Sequence, residues 1–537
     1  MAQQVRLTMR KLIKSGYFPN EVVPGFNTED LANAYNSIVS SITNLNKKSK
    51  SCFHSIPRVK HARRMIAIPN PYNQLLLFKE VFDNWQDIKR FLKKSSFSLT
   101  TPLVLKGSKR AFTRASEFGD IVSHRLECST NYKYMLKTDI SRYYSTIYTH
   151  SIPWAYHGKA IAKQNIHNNN LLGNKLDKYV RNTQDQQTIG IPIGPDSSLI
   201  LSEIIGSAMD QMLKSEFPRL KGIRYIDDFF FFFDNYADAQ DALMKLHRIT
   251  KEFELELNPE KTEILELPDN LEYEWVSEIR DFQFTPNRPK KQRTELITFV
   301  NRMIQLAKKF EDSYVIKYAL SMLKKILVHS DNWSLYESLL LNVIMFEASV
   351  LPAVTEILLV YKQSGYQLDT KKIESTLNTI ISYNSKLNQA YEVSWGLWLI
   401  KSLNLKITRS TAKEISKVDD VLVAIISLDM RANGSIPNGL DDTLWASYLS
   451  VDDLYGDHWL IAYEVVKKGW IPLPGGVNYL LNDAFFSSLF NNDVEFYNSN
   501  LQVTLPILVQ QTNTNNIRTN NIPGRIGAVI GGGAGGY

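Results

Sequence analysis

The feature that most constrains this chain is Ile223-Arg-Tyr-Ile-Asp-Asp228, followed without a break by five phenylalanines, Phe229–Phe233. Apolar residues on both sides of two adjacent acids read as a hairpin whose strands are buried and whose turn presents Asp227 and Asp228. Carboxylates between buried strands are costly to desolvate unless their charge is compensated, and a bound cation is the simplest compensation. An isolated Asp-Asp pair is more often a loop or a helix cap. The rest of this chain supplies what an isolated pair lacks.

A third acid closes the run Tyr134-Met-Leu-Lys-Thr-Asp139, which reads as a strand passing through Ile-Ser-Arg-Tyr-Tyr144 into a turn and a helix. If that strand lies beside the hairpin, Asp139, Asp227 and Asp228 converge, and the backbone carbonyl of Ile140 adds an oxygen. Such a set suits two Mg²⁺ ions, with Mn²⁺ as a substitute, and leaves room for substrate phosphates. One ion of the pair activates a hydroxyl and the other stabilises a departing pyrophosphate, so the chemistry needs no imidazole. His150 and His157 therefore read as packing or capping residues.

A chain of 537 residues exceeds what one core ordinarily fills, so two large units are expected. The formal charge of +7 hides an asymmetry: residues 1–150 carry 24 Lys/Arg against 10 Asp/Glu. A basic N-terminal end suits contact with a phosphate backbone, and a solvated basic face is the bland alternative. Cys52 and Cys128 are too few for a disulfide framework and lack zinc-site spacing. The most apolar stretch, 339–360, is interrupted by Glu347, Pro352 and Glu356, and no export signal is visible. A reduced, cytoplasmic setting with no membrane partner is expected.

Four segments follow from pattern. Residues 1–130 mix short helical patterns with basic clusters at Lys47-Lys48-Ser-Lys50, Arg63-Arg64 and Lys93-Lys94. Residues 131–290 alternate β-rich runs with amphipathic segments, an α+β pattern. Apolar residues at three- and four-residue spacing predict helices through 291–509, arranged as stacked pairs, with Trp395, Trp398 and Trp445 in their core. Residues 510–537 turn to Asn/Thr and then Gly, the composition of a flexible leash that ends in Tyr537.

Asp139 with Tyr144 five residues on, and the Tyr225-Ile-Asp-Asp228 box after it, resemble the palm motifs of reverse transcriptases. The resemblance implies an α+β fold: a right-handed palm and fingers, then a mainly α-helical thumb and C-terminal domain. Gln187-Thr-Ile-Gly-Ile-Pro-Ile-Gly194-Pro-Asp-Ser-Ser198 is similar to the loop and helix that support template and nucleotide, with Gly190 and Gly194 permitting close approach. Ile193 stands where the family commonly has glutamine, so template-independent synthesis is a variant of the same expectation. Arg64, five residues before Pro69, resembles the fingers residue that touches the triphosphate, with Arg63 and Lys60 as neighbours able to take that role. Leu257-Asn-Pro-Glu-Lys261 resembles the palm segment whose lysine serves as general acid. Tyr144 matches the ring that excludes a ribose 2′-hydroxyl, implying dNTP substrates, and Tyr143 is the competing register.

The wording of these motifs, together with a long helical C-terminal half, resembles bacterial abortive-infection and defence-associated reverse transcriptases, the unknown-group enzymes. That implies an RNA-directed DNA polymerase, a nucleotidyltransferase, acting against phage in the bacterial cytoplasm. Its implied partners are dNTPs, an RNA template such as a structured noncoding RNA, a DNA product and further copies of the chain. Relatives of this type prime from protein, which makes Tyr537 a candidate priming hydroxyl beside the plainer reading of an accidental linker end. The rival class is an oligomeric nucleic-acid-binding defence scaffold or sensor.

Overall fold

The acid-bearing runs form one antiparallel sheet in the computed structural model, which describes residues 3–58, 62–311, 313–437 and 439–501. The tail 510–537 with Tyr537, and Lys60, lie outside these residues. Strands β1 (Ser51–Pro57) and β2 (Arg63–Pro69) make an antiparallel hairpin with Ser51 opposite Pro69. A two-residue ladder joins β3 (Pro102–Leu103) to β4 (Thr113–Arg114). The main sheet holds β5 (Tyr134–Thr138), β6 (Lys221–Tyr225), β7 (Asp228–Phe233) and β8 (Glu263–Glu266) in the order β6-β7-β5-β8. Strand β7 is interior, and its phenylalanines are covered on both faces: Phe231 meets Phe97 edge-on, while Phe232 meets Tyr132 on the opposite side. The helix Asp196–Glu216 packs against Tyr236–Glu252 beside this sheet.

The C-terminal half is the expected stack of helices. Trp333–Phe346 packs on Thr370–Lys386, which packs on Arg409–Ile415; the alternate members Leu351–Gln363, Ala390–Ser402, Val421–Ala432 and Trp459–Lys468 pack in their own series. Contacts to the next helix but one make two layers, the arrangement of a helical-repeat array.

The array does not project away from the N-terminal region; it folds back over the hairpin β1–β2. Ala390–Ser402, Val421–Ala432 and Trp459–Lys468 all meet β1. Trp459 Nε1 donates to the Ile68 carbonyl (3.1 Å) and Trp395 Nε1 to that of Glu21 (2.9 Å). His54 Nδ1 lies 2.8 Å from Asp420 Oδ2, while Asp420 Oδ1 accepts from Leu422 N and Val423 N and so caps its own helix. Beyond the last helix, Asn27 N donates to the Phe496 carbonyl (3.0 Å) and Asn498 N to that of Gly25 (2.9 Å), tying the chain back to its N-terminal region. The two units expected from length therefore share one continuous buried core.

This packing also redirects part of the basic excess. Lys47 pairs with Asp483 (3.2 Å), and Lys50 lies 3.9 Å from Asp457, both acids of the array. Cys52 is buried under the same helices, and burial pushes its thiol up. Among the described residues no helix is long and apolar enough to cross a membrane.

Candidate active site

Register brings the acids together. Strand β5 pairs with β7 so that Thr138 faces Phe229, which sets Asp139 at the strand end beside the turn of the β6–β7 hairpin. Tyr225 faces Asp228, leaving Ile226-Asp227 as a two-residue turn. Asp139 and Asp227 are buried and Asp228 is half-buried. Burial first, then the charges of Asp228 and Asp139, push Asp227 up to about 8. Burial and Asp139 push Asp228 up to about 6.

One cation already answers this field. Lys261, at the end of the 3₁₀ turn Pro259–Lys261, donates Nζ to Asp139 Oδ2 (2.8 Å), and burial lowers the pKa of its ammonium. Asn258 N donates to the Asp139 carbonyl (2.8 Å), and Ser141 N to that of Glu256 (2.9 Å), so the lysine segment is stitched across Ile140 to the strand end. Asp139 Oδ1 is buried and accepts no hydrogen bond. Among the described residues no three His, Cys, Asp or Glu side chains already surround a common point as metal ligands. The donor chemistry nevertheless fits a divalent cation: hard oxygens, one of them orphaned, and two carboxyls that resist ionisation until positive charge arrives.

The turn that carries Asp227 is strained. Ile226 has φ +58°, a left-handed conformation that costs a β-branched residue about 1–3 kcal/mol. Its N–H donates to Thr100 Oγ1 (3.1 Å) and its carbonyl accepts from Arg224 Nη1 (2.7 Å). Arg224 is fully buried and bonded to Glu203 and Asp210. None of these four residues stands out in the sequence as functional. The available signal was an arginine inside a buried hairpin, with two acids seven residues apart on one helix.

The other expected residues divide. Tyr143 is buried and donates to the Ser202 carbonyl (2.8 Å). Tyr144 is half-buried, accepts from Ser202 Oγ (3.1 Å), and has its phenol pushed up to about 12 by burial. Arg64 lies in the field of Asp227, and burial lowers its pKa. Arg63, expected as a neighbour able to take the role of Arg64 at the triphosphate, is engaged elsewhere. Its Nη1 and Nη2 donate to the Glu392 carboxylate (2.9 Å each) and its Nε to Ser55 Oγ (2.6 Å), which ties β2 to the array. Gly194 has φ +138°, and a Cβ there would lie 2.4 Å from Pro19 Cγ. Ala67 N donates to the Ile193 carbonyl (2.8 Å), so this loop bridges β2 and the long helix. His150 pairs with Asp177 (2.8 Å) and His157 accepts from Gly173 N (3.0 Å), so both serve the helices behind the acids.

Residues 97–285 match the family model described as reverse transcriptase (RNA-dependent DNA polymerase). Similar solved structures include apo telomerase from Candida tropicalis, at 13% identity over 69% of each chain with a TM-score of 0.31. Telomerase from Candida albicans in complex with the TWJ fragment of telomeric RNA is similar at 10% identity, over 68% of this chain and 70% of that one, with a TM-score of 0.28. No curated protein matches the sequence. The matched segment holds Asp139, Asp227, Asp228 and Lys261, and by that reverse transcriptase domain the chain is an RNA-directed DNA polymerase, a nucleotidyltransferase.

Proposed function

We propose that this polymerase works by two-metal nucleotidyl transfer, in bacterial antiviral defence, on a structured noncoding RNA. The observation that carries the chemistry is the meeting of Asp139 with the Asp227-Asp228 turn in a field that raises both turn carboxyls. In this reading Asp139, Asp227, Asp228 and the Ile140 carbonyl hold two Mg²⁺, for which Mn²⁺ substitutes. When bound, the ions activate the attacking hydroxyl and neutralise charge on the departing pyrophosphate. Lys261, already at Asp139, carries the proton that the leaving group takes up. Arg64 contacts the triphosphate. The Tyr144 ring, held through its hydroxyl by Ser202, fills the space that a ribose 2′-hydroxyl would need. The Gly194 loop backs the nucleotide.

The defence role, the noncoding RNA and a homo-oligomeric cytoplasmic assembly are supported by the motif resemblance and by the helical-repeat array, a kind of surface suited to extended partners. Priming from Tyr537 belongs to the same proposal. The test is to purify the full chain with its bound nucleic acid, sequence that material, and supply labelled dNTPs singly with Mg²⁺, with Asp227→Asn as control. Incorporation that stops when the bound RNA is digested is expected, as is a labelled protein band that resists nuclease and disappears in Tyr537→Phe. Incorporation that survives complete RNA removal replaces the templated reading with template-independent synthesis. A wild-type chain that retains RNA and adds no nucleotide replaces it with a scaffold.

A further inference from the structure

Both backbone hydrogen-bonding groups of Ile226 belong to one buried ring. The Ile226 N–H donates to Thr100 Oγ1 (3.1 Å), and the Thr100 hydroxyl donates to Glu203 Oε1 (2.6 Å). Glu203 Oε1 also accepts from Arg224 Nη1 (3.0 Å), and the same nitrogen donates to the Ile226 carbonyl (2.7 Å). The N–H and the carbonyl lie on the two peptide planes that meet at Ile226, so the ring fixes both φ and ψ of that residue. Behind it, Arg224 Nε donates to both oxygens of Asp210 (3.0 Å each), which accepts from Ser95 Oγ (2.6 Å), and Glu203 Oε2 accepts from Ser98 Oγ (2.7 Å). Gly206 leaves the space for the guanidinium: a Cβ there would lie 2.6 Å from Arg224 Cζ.

Such a ring answers a particular need. Two-residue hairpin turns ordinarily place Asn, Asp or Gly at a left-handed position, and this one uses isoleucine. The next residue, Asp227, is buried among like charges. Strain and repulsion both favour relaxation of the turn, and the ring opposes both. We infer that Thr100, Glu203 and Arg224 are positioning residues, which hold Ile226 left-handed and so aim the Asp227 carboxylate toward Asp139 before a cation binds. The inference rests on the polymerase reading of the three acids.

Thr100→Val is the sharpest probe, because it removes the hydroxyl that links Ile226 to Glu203 and leaves the Arg224–Glu203–Asp210 cluster in place. Thr100→Ser keeps the hydroxyl. The full-length chains are compared for kcat, KM for dNTP, the Mg²⁺ midpoint for activity, and the Mg²⁺ midpoint for the rise in Tm without substrate. For Thr100→Val, kcat is expected to fall about tenfold or more with KM within about twofold, and both Mg²⁺ midpoints to rise about fivefold. Thr100→Ser should stay near wild type. A role in fold stability alone lowers Tm and leaves the midpoints of the folded protein unmoved.

Wild-type kcat and midpoints in Thr100→Val, or equal damage in Thr100→Ser, would overturn the inference. A wild type that adds no nucleotide while its thermal Mg²⁺ midpoint still shifts in Thr100→Val defeats the polymerase reading and leaves the ring intact. Should Thr100→Val not fold, Ser98→Ala removes one donor to Glu203 and is read by the same midpoints. A rise of about twofold supports the ring, and no change overturns it.

Discussion

Two clusters of buried charge stand three residues apart along one hairpin, and they are built on opposite terms. Around Arg224, one guanidinium meets two carboxylates, and Ser95, Ser98 and Thr100 donate to those acids as well. The pairing holds Glu203 below its ordinary range despite burial and raises Arg224 far above its own, although burial still leaves Asp210 raised. Around Asp227, Lys261 is hydrogen-bonded to Asp139, the other Asp139 oxygen accepts no hydrogen bond, and the turn carboxyls are pushed up by burial and by their neighbours. The compensated cluster serves as scaffold. In the proposed reading the uncompensated one is the site, because the charge it lacks is what a divalent ion would bring.

The largest expected effect falls on the uncompensated cluster. Asp227→Asn should lower kcat by about 10³-fold or more while raising the Tm of the divalent-free protein, since it removes a buried acid from among like charges. A variant that loses activity and also loses stability would place Asp227 in a structural role. The compensated cluster should behave in the reverse way. Arg224→Met leaves Glu203 and Asp210 buried without their cation and should cost about 3–5 kcal/mol of stability, read as a urea midpoint. A loss below about 1 kcal/mol would mean that water or relaxation replaces the arginine.

The same contrast predicts a pH dependence. The ordinary carboxyl value is near 4, whereas Asp227 stands at about 8 and Asp228 at about 6 in the folded chain. Between those limits these two groups bind more protons in the folded than in the unfolded state, so the stability they contribute is fully present below about 4 and is lost as pH rises to about 8. A loss on the order of a few kcal/mol is expected in divalent-free buffer. Saturating Mg²⁺ should flatten the curve, because ligation requires the ionised carboxylates. Glu464, buried and pushed up to about 8, adds to the same slope. The part due to the site is therefore the difference between wild type and Asp227→Asn. Identical slopes in the two proteins would show that the site acids ionise without penalty.

How far the sequence carried follows from which interactions are local. The two acids and their apolar flanks lie within eleven residues, and the helices of the array declare themselves by three- and four-residue spacing. The positioning ring does not, because Thr100, Glu203 and Arg224 come from three separated segments and each alone is an ordinary polar residue. The hairpin β1–β2 lies in a segment whose basic clusters suit contact with a phosphate backbone. Cys52 and Ile56 alternate inward, but His54 between them is polar, and the partner that meets its buried Nδ1 is Asp420, from 366 positions away. The N-terminal lysines show the same limit. Charge segregated along a sequence suits a nucleic acid or an acidic partner within the chain, and Lys47 and Lys50 have the latter.

Adjacent arginines repeat the contrast at its smallest scale. Arg63 is paired to Glu392, whose carboxylate is buried, whereas Arg64 feels the charge of Asp227 among its neighbours. Arg63→Ala should therefore lower stability by about 1–3 kcal/mol, by stranding Glu392, with KM for dNTP within about twofold of wild type. Arg64→Ala should instead raise KM for dNTP about tenfold, through the lost contact to the triphosphate. Steady-state kinetics with a thermal melt on each variant separates the two. If Arg63→Ala raises KM as much as Arg64→Ala does, the hairpin acts as one mechanical unit, and its anchoring to the helical array is part of how the nucleotide is held.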